Sequence, residues 1–156
     1  MNHPHKKTNS PFKETSQKKV MCFGTFDLLH LGHLNYFEQA KEHGDYLMVV
    51  IARDETKRKQ NKNILFSEEE RLKLIQSLKI VDEAFLGNAD NHFKIIVEKK
   101  PNLICLGYDH AISEQVLREK LISLGVKAKV LRMQPYQEGK QKSSRMRKDL
   151  VLFSGE

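Results

Sequence analysis

Two histidines, His30 and His33, flank Gly32 where an apolar run gives way to a segment of helical period. Side chains three residues apart share one face of a helical turn. Such a pair supports two kinds of chemistry. It could clip a metal ion, or it could donate two hydrogen bonds to an anion seated on the helix start. The first helical turn carries free N–H groups and about half a unit of positive charge, and Gly32 allows close backbone approach. A zinc site needs a third protein ligand, usually more. The candidates nearby are Cys22, inside a strand-like run, and Asp27, in the preceding loop, and neither gives a recognised spacing. Ordinary capping or packing is the third reading, and the residues alone leave all three open.

The surrounding pattern says which elements position the pair. "KVMCF" (19–23) reads as a buried strand, and "LGHLNYFEQAKEHG" (31–44) as a helix stopped at Gly44. "YLMVVIA" (46–52) is apolar throughout, as in a parallel strand covered on both faces. A polar loop follows. "SEEERLKLIQSLK" (67–79) reads as a helix with Ser67 as N-cap and Glu70 completing a capping box. Further strands are expected at 83–87, 102–107 and 128–133, with helices at 91–100, 113–125 and 143–153. This alternation predicts an α/β domain: a Rossmann-like open parallel sheet of about five strands with helices on both faces. Residues 1–18 are polar and aperiodic and are expected to form a disordered basic arm before a domain at 19–156.

The chain has 156 residues, which fits one domain, and a net charge of +7. Five lysines against one glutamate in residues 1–19 supply +4, and residues 138–149 supply +3, so the remainder is neutral. That distribution does not support a broad nucleic-acid-binding face. Within the neutral part, "RDETKRKQNK" (53–62) is locally +3. Basic segments flanking a neutral core suit a compact polyanion such as a nucleoside triphosphate. No apolar run approaches the roughly 20 residues of a membrane span and no signal peptide is recognisable, so a cytoplasmic protein is expected. Cys22 and Cys105 lie in apolar strands without C-x-x-C spacing and are read as reduced core residues.

Ligands of open parallel sheets bind beyond the carboxyl ends of the strands. "GTFDLLHLGH" follows the first strand, "RDETKRKQNK" the second, "GYDH" (107–110) the fourth and the basic C-terminal stretch the fifth. The chemistry-bearing residues thus converge on one edge. Of the remaining histidines, His43 and His92 are expected to be structural or solvent-facing, and His110 to lie at the surface. Asp109 reads either as a nucleobase contact or as a cap for the following helix.

"GTFDLLHLGH" (24–33) resembles the G-T-F-D-x-x-H-x-G-H signature of the cytidylyltransferase-like nucleotidyltransferases, and the likeness runs from about residue 20 to the C-terminus. Arg71 within "SEEERLKLIQSLKIVDEAFLG" matches a substrate-binding arginine, and Ser143 and Ser144 match the Ser/Thr pair opening the final helix. The resemblance implies that a substrate phosphate attacks the α-phosphorus of a nucleoside triphosphate and expels pyrophosphate, without a covalent enzyme intermediate. It implies catalytic donors at His30, His33 and Lys62. Nucleotide contacts are implied at Gly24, Thr25, Phe26, Gly32, Asp109, Ser143 and Ser144. Acceptor contacts are implied at Asp27 and Arg71, with Asp27 alternatively contacting the metal indirectly or orienting its loop. Mg²⁺ is expected as the metal–nucleotide complex, with no protein metal ligands. A homodimer is a further implication.

Two subfamilies differ in acceptor. "YQEGKQKSS" lacks the arginine that glycerol-3-phosphate cytidylyltransferases carry ahead of the glycine, and Gln60 replaces one of their loop lysines. "VIARDET" (50–56) and "KPNLICLGYDH" (100–110) are similar to the archaeal-type FAD synthases, which transfer AMP from ATP to FMN. The resemblance therefore favours ATP over CTP and FMN as acceptor. A heptose-phosphate adenylyltransferase shares the framework. A non-catalytic nucleotide- or RNA-binding module is the rival of another class, disfavoured by the full set of candidate residues.

Overall fold

The computed structural model describes residues 16–137. The expected arm, apart from its last residues, and the 143–153 helix with Ser143 and Ser144 lie outside them. Lys18 closes the arm as drawn from sequence, yet it is tied to the domain. Its N–H donates to Asp45 Oδ2 at 3.0 Å, and its carbonyl accepts from Asp45 and Tyr46 N–H.

Ten elements follow one another: β1 (Lys19–Gly24), α1 (Leu31–Glu42), β2 (Tyr46–Ile51), α2 (Asp54–Lys59), α3 (Glu68–Gln76), β3 (Glu83–Leu86), α4 (Lys94–Lys99), β4 (Leu103–Leu106), α5 (Glu114–Ser123) and β5 (Lys129–Arg132). The strands form one parallel sheet in the order β3-β2-β1-β4-β5. Crossovers between parallel strands are right-handed. Moving outward through β2 and β3 therefore places α1 and α3 on one face, and returning to β4 and β5 places α4 and α5 on the other.

The side-chain period of two divides each strand between two cores. Val20, Cys22, Val49 and Cys105 pack with Phe37, Ala40 and Ile75 beneath α1 and α3. Met21, Met48, Val50 and Ile104 pack with Ile95, Ile96, Leu117 and Leu121 beneath α4 and α5. This two-sided burial is why β2 carries no polar alternation. Both cysteines are free thiols buried in neighbouring strands, paired in register. No helix of the described residues is long and apolar enough to cross a membrane.

One element differs from the sequence reading. Residues 54–59 form a short helix rather than a loop, with Asp54 and Glu55 in its first turn and Lys57, Arg58 and Lys59 in its last. That charge order complements the helix dipole, and it is invisible to a search for apolar periodicity because only Thr56 is buried.

Candidate active site at the carboxyl edge of the sheet

The chain leaves β1 outward to β2 on one side and returns to β4 on the other, so β1 and β4 flank the point where the topology reverses. Crevices in open parallel sheets form at such points. Pairing between these strands stops at Cys22 and Cys105. Just beyond, the Tyr36 hydroxyl sits between them, accepting from Phe23 N–H at 3.3 Å and donating to the Cys105 carbonyl at 2.5 Å. The hydroxyl replaces a direct strand contact and leaves a cleft. Above it opens a cavity of about 670 Å³, lined by residues from the ends of β1, β2, β3 and β4. Burial raises the Tyr36 pKa well above that of an ordinary phenol, so it holds its proton for this bridge.

The two histidines meet at the mouth of this cleft. His30 is the N-cap of α1, in extended backbone conformation, and its Nδ1 accepts from Gly32 N–H at 3.0 Å. An Nδ1 that accepts must be unprotonated, which leaves the ring proton on Nε2. His33 stacks on it with centroids 3.9 Å apart. The edge of Phe26 meets His33 at 5.3 Å. Burial lowers the pKa of both imidazoles, and the neighbouring His30 ring lowers His33 further, to about 4. Asp109 across the cavity pulls both the other way by a smaller amount. Both rings are therefore neutral at neutral pH, each with one N–H able to donate a hydrogen bond. His33 Nδ1 is buried and has no hydrogen-bond partner among the described residues. The other ring edge is thus the one available to the cavity.

The loop before α1 is shaped for this arrangement. Phe26 has a left-handed backbone (φ 53°) and is buried, with its ring folded back over Gly24. A Cβ on Gly24 would lie 2.5 Å from that ring. Any larger residue there would displace Phe26 and, through it, His33. The Asp27 carboxylate is buried and accepts from Leu65 N–H at 2.8 Å and Phe66 N–H at 2.9 Å. It thereby ties its own loop to the segment leading to α3, and it also lines the cavity.

Arg71, expected to contact the acceptor, lies beneath the site. Its side chain is fully buried and is absent from the cavity wall. Nη1 donates to the carbonyls of Thr25 and Ala52, both at 2.8 Å, Nε to that of Phe66 at 3.2 Å, and Nη2 to Asp54 Oδ1 at 2.6 Å. The planar fork thus joins the loop after β1, the end of β2 and the starts of α2 and α3. It positions the site; its guanidinium is engaged before any ligand arrives.

His110 also differs from its sequence reading. It is half-buried and lines the cavity instead of lying at the surface. Its Nδ1 accepts from Gly107 N–H at 3.1 Å, closing the "GYDH" turn. From β5, Arg132 grips the same turn, donating to the carbonyls of Gly107 (2.9 Å), His110 (3.0 Å) and Ile112 (2.6 Å). Tyr108 and Asp109 are presented at the cavity rim. Asp109 does not cap α5, since Ser113 does so through Val116 N–H at 3.1 Å. Lys62 is exposed on the opposite rim. Gly24, Thr25, Phe26, Gly32 and Asp109 all line the one cavity with the histidines.

Among the described residues no three His, Cys, Asp or Glu side chains converge to hold a metal. His30 Nδ1 is already occupied by Gly32 N–H.

Sequence reasoning missed Tyr36, Lys57, His110 and Arg132. Tyr36 stands three residues beyond His33, so it faces the same side of α1; that spacing was the available signal. Nothing in the basic run 53–62 separates Lys57 from its neighbours.

Residues 21–149 match the cytidylyltransferase-like family. The chain belongs to that family. A protein named FAD synthase from Thermoplasma acidophilum is 44% identical over 138 residues, 88% of this chain and 97% of that protein. Another of that name from Thermoplasma volcanium is 43% identical over the same length. A crystal structure described as the lipopolysaccharide core biosynthesis protein from Thermoplasma volcanium GSS1 superposes with a TM-score of 0.76 at 44% identity, covering 78% of this chain and 99% of that one. This cytidylyltransferase-like chain is accordingly a nucleotidyltransferase with the family's open parallel sheet.

Proposed function

We propose that the protein is an FMN adenylyltransferase. An FMN phosphate oxygen attacks the α-phosphorus of ATP, the bond from that phosphorus to the bridging oxygen breaks, and FAD and diphosphate leave. The observation carrying this reading is the stacked, neutral His30–His33 pair at the start of α1. In this reading the α1 dipole and the two imidazole donors stabilise the negative charge that the triphosphate gains on its equatorial and leaving oxygens. No protein nucleophile is needed, because the acceptor brings its own.

Lys62 supports charge at the rim, and Ser143 and Ser144 belong to the same reading as contacts to the β- and γ-phosphates. Tyr108 and Asp109 favour a base with an exocyclic amino group, and ATP is chosen over CTP on the likeness to the FAD synthases. Mg²⁺ enters with the nucleotide as part of the substrate in this reading. The lipopolysaccharide-biosynthesis description of the superposed structure supports a second acceptor class, a sugar phosphate.

An activity screen separates the readings. ATP and CTP are crossed with FMN, glycerol 3-phosphate and heptose phosphate, and pyrophosphate release is followed together with chromatography of the product. FAD formed from ATP and FMN is the expected result. Turnover confined to CTP with glycerol 3-phosphate, or to ATP with the sugar phosphate, overturns the proposal.

A further inference from the structure

The cations around the cavity fall into two groups. Arg53 meets Glu68 at 3.5 Å, Lys59 meets Glu55 at 2.8 Å, and Arg71 meets Asp54 at 2.6 Å. Lys57 and Lys62 line the cavity and make no ion pair among the described residues. Lys62 is exposed, so water solvates its charge. Lys57 is half-buried, and its Nζ reaches one neutral acceptor, the Gln60 side-chain oxygen, at 3.3 Å. Burial and the positive charges of Lys62 and Arg71 lower its pKa. A partly desolvated ammonium among like charges is unfavourable until an anion joins it.

Its place in the fold says which anion. α2 follows β2, on the far side of β1 from β4. Tyr108 and Asp109 follow β4, and the histidines follow β1, so Lys57 comes from the strand end on the other side of β1 from the proposed base contacts. The same cavity is lined by Gly87 and Asn88, which follow β3, and by an apolar shelf of Val50, Phe93 and Ile96. A planar aromatic group bearing a phosphate on a flexible chain suits a cavity whose wall combines this shelf, a cation and the histidine pair. In-line displacement also requires the attacking phosphate to approach from the side away from the leaving diphosphate.

We propose that Lys57 anchors the acceptor's phosphate and so seats the isoalloxazine ring on the Val50–Phe93–Ile96 shelf. This assignment rests on the FMN adenylyltransferase reading. It makes Lys57 a residue that touches substrate and sets which acceptors are used.

The test compares wild type, Lys57→Ala and Lys57→Arg, with ATP and FMN varied in turn and folding checked by thermal melting. Losing a charge-assisted hydrogen bond corresponds to about a tenfold change or more in affinity. Lys57→Ala should raise KM for FMN at least about tenfold and leave KM for ATP within about twofold. Lys57→Arg should restore most of the lost affinity. Flavin fluorescence gives a readout apart from turnover: wild type should bind FMN more tightly than riboflavin, and Lys57→Ala should erase that preference. An increase in KM for ATP alone, or unchanged KM for both substrates, overturns the assignment while FAD synthesis by wild type stands. Failure of wild type to make FAD from ATP and FMN sinks the activity itself, and the lysine's role with it.

Discussion

α1 and α3 pack on the same face of the sheet and begin in opposite ways. α3 opens with a complete capping box: Ser67 Oγ accepts from Glu70 N–H at 3.2 Å, and Glu70 Oε2 accepts from Ser67 N–H at 2.9 Å. Glu68, Glu69 and Glu70 place three carboxylates in its first turn, against the positive end of the dipole. α1 has no acidic side chain in its first turn, and its cap is the His30 ring on Gly32 N–H. A helix start satisfied by its own residues has little to offer a ligand, whereas an incomplete one gains most when an anion arrives. Stability and binding are thus divided between two elements that share a core.

Four experiments would break or sharpen this contrast. The largest effect is expected at Arg71, which α3 sends into the framework. Arg71→Met leaves the Thr25, Ala52 and Phe66 carbonyls without that donor and Asp54 without its cation, and should cost about 3–5 kcal/mol in urea unfolding. A loss below about 1 kcal/mol would show that the knot contributes little.

Next comes the α1 cap. His30→Ser supplies an ordinary N-cap and removes one imidazole donor. Turnover should drop about 10²-fold, roughly 3 kcal/mol in the barrier, while the melting temperature stays level or rises. A variant with near-wild-type kcat would remove His30 from the chemistry.

His33 gives a pH signature of comparable or smaller size. Its folded-state pKa of about 4 lies below the ordinary histidine value of 6.5, so the unfolded chain binds the proton first as pH falls. Stability should therefore decline from pH 6.5 towards 4, by about 2–3 kcal/mol from this residue after allowing for partial exposure. His30 and His110 shift in the same direction. Comparing unfolding curves of wild type and His33→Asn isolates the one group: the variant's profile should be flatter, and identical slopes would contradict the burial argument.

The smallest effect belongs to the self-contained helix. Ser67→Ala should cost about 1 kcal/mol of stability and leave kcat unchanged. A fall in kcat equal to that of His30→Ser would abolish the division between the two helix starts.

Most of the architecture was legible because it is written in periodicity. The apolar run of β2 announces a strand covered on both faces, and Ser67 with Glu70 announces the start of α3 to the residue. The signature at residues 24–33 located the imidazole pair for the same reason, since local spacing decides which side chains share a turn. What stayed hidden depends on contacts between distant segments. Nothing in the spacing around Arg71 reveals that three separate segments converge on its guanidinium. His110 looked like surface because its partner, Gly107 N–H, is fixed by a turn whose shape Arg132 sets from another strand. Lys57 is distinguished from Lys59 by the cavity behind it, which no property of the basic run reveals.

The Tyr36 bridge has a consequence for how the cleft behaves between turnovers. With a phenol wedged where β1 and β4 would otherwise continue to zip together, the seam cannot close on itself when vacant. The doorway is propped ajar by a covalently attached doorstop, so an arriving nucleotide needs no strand to part before it lands.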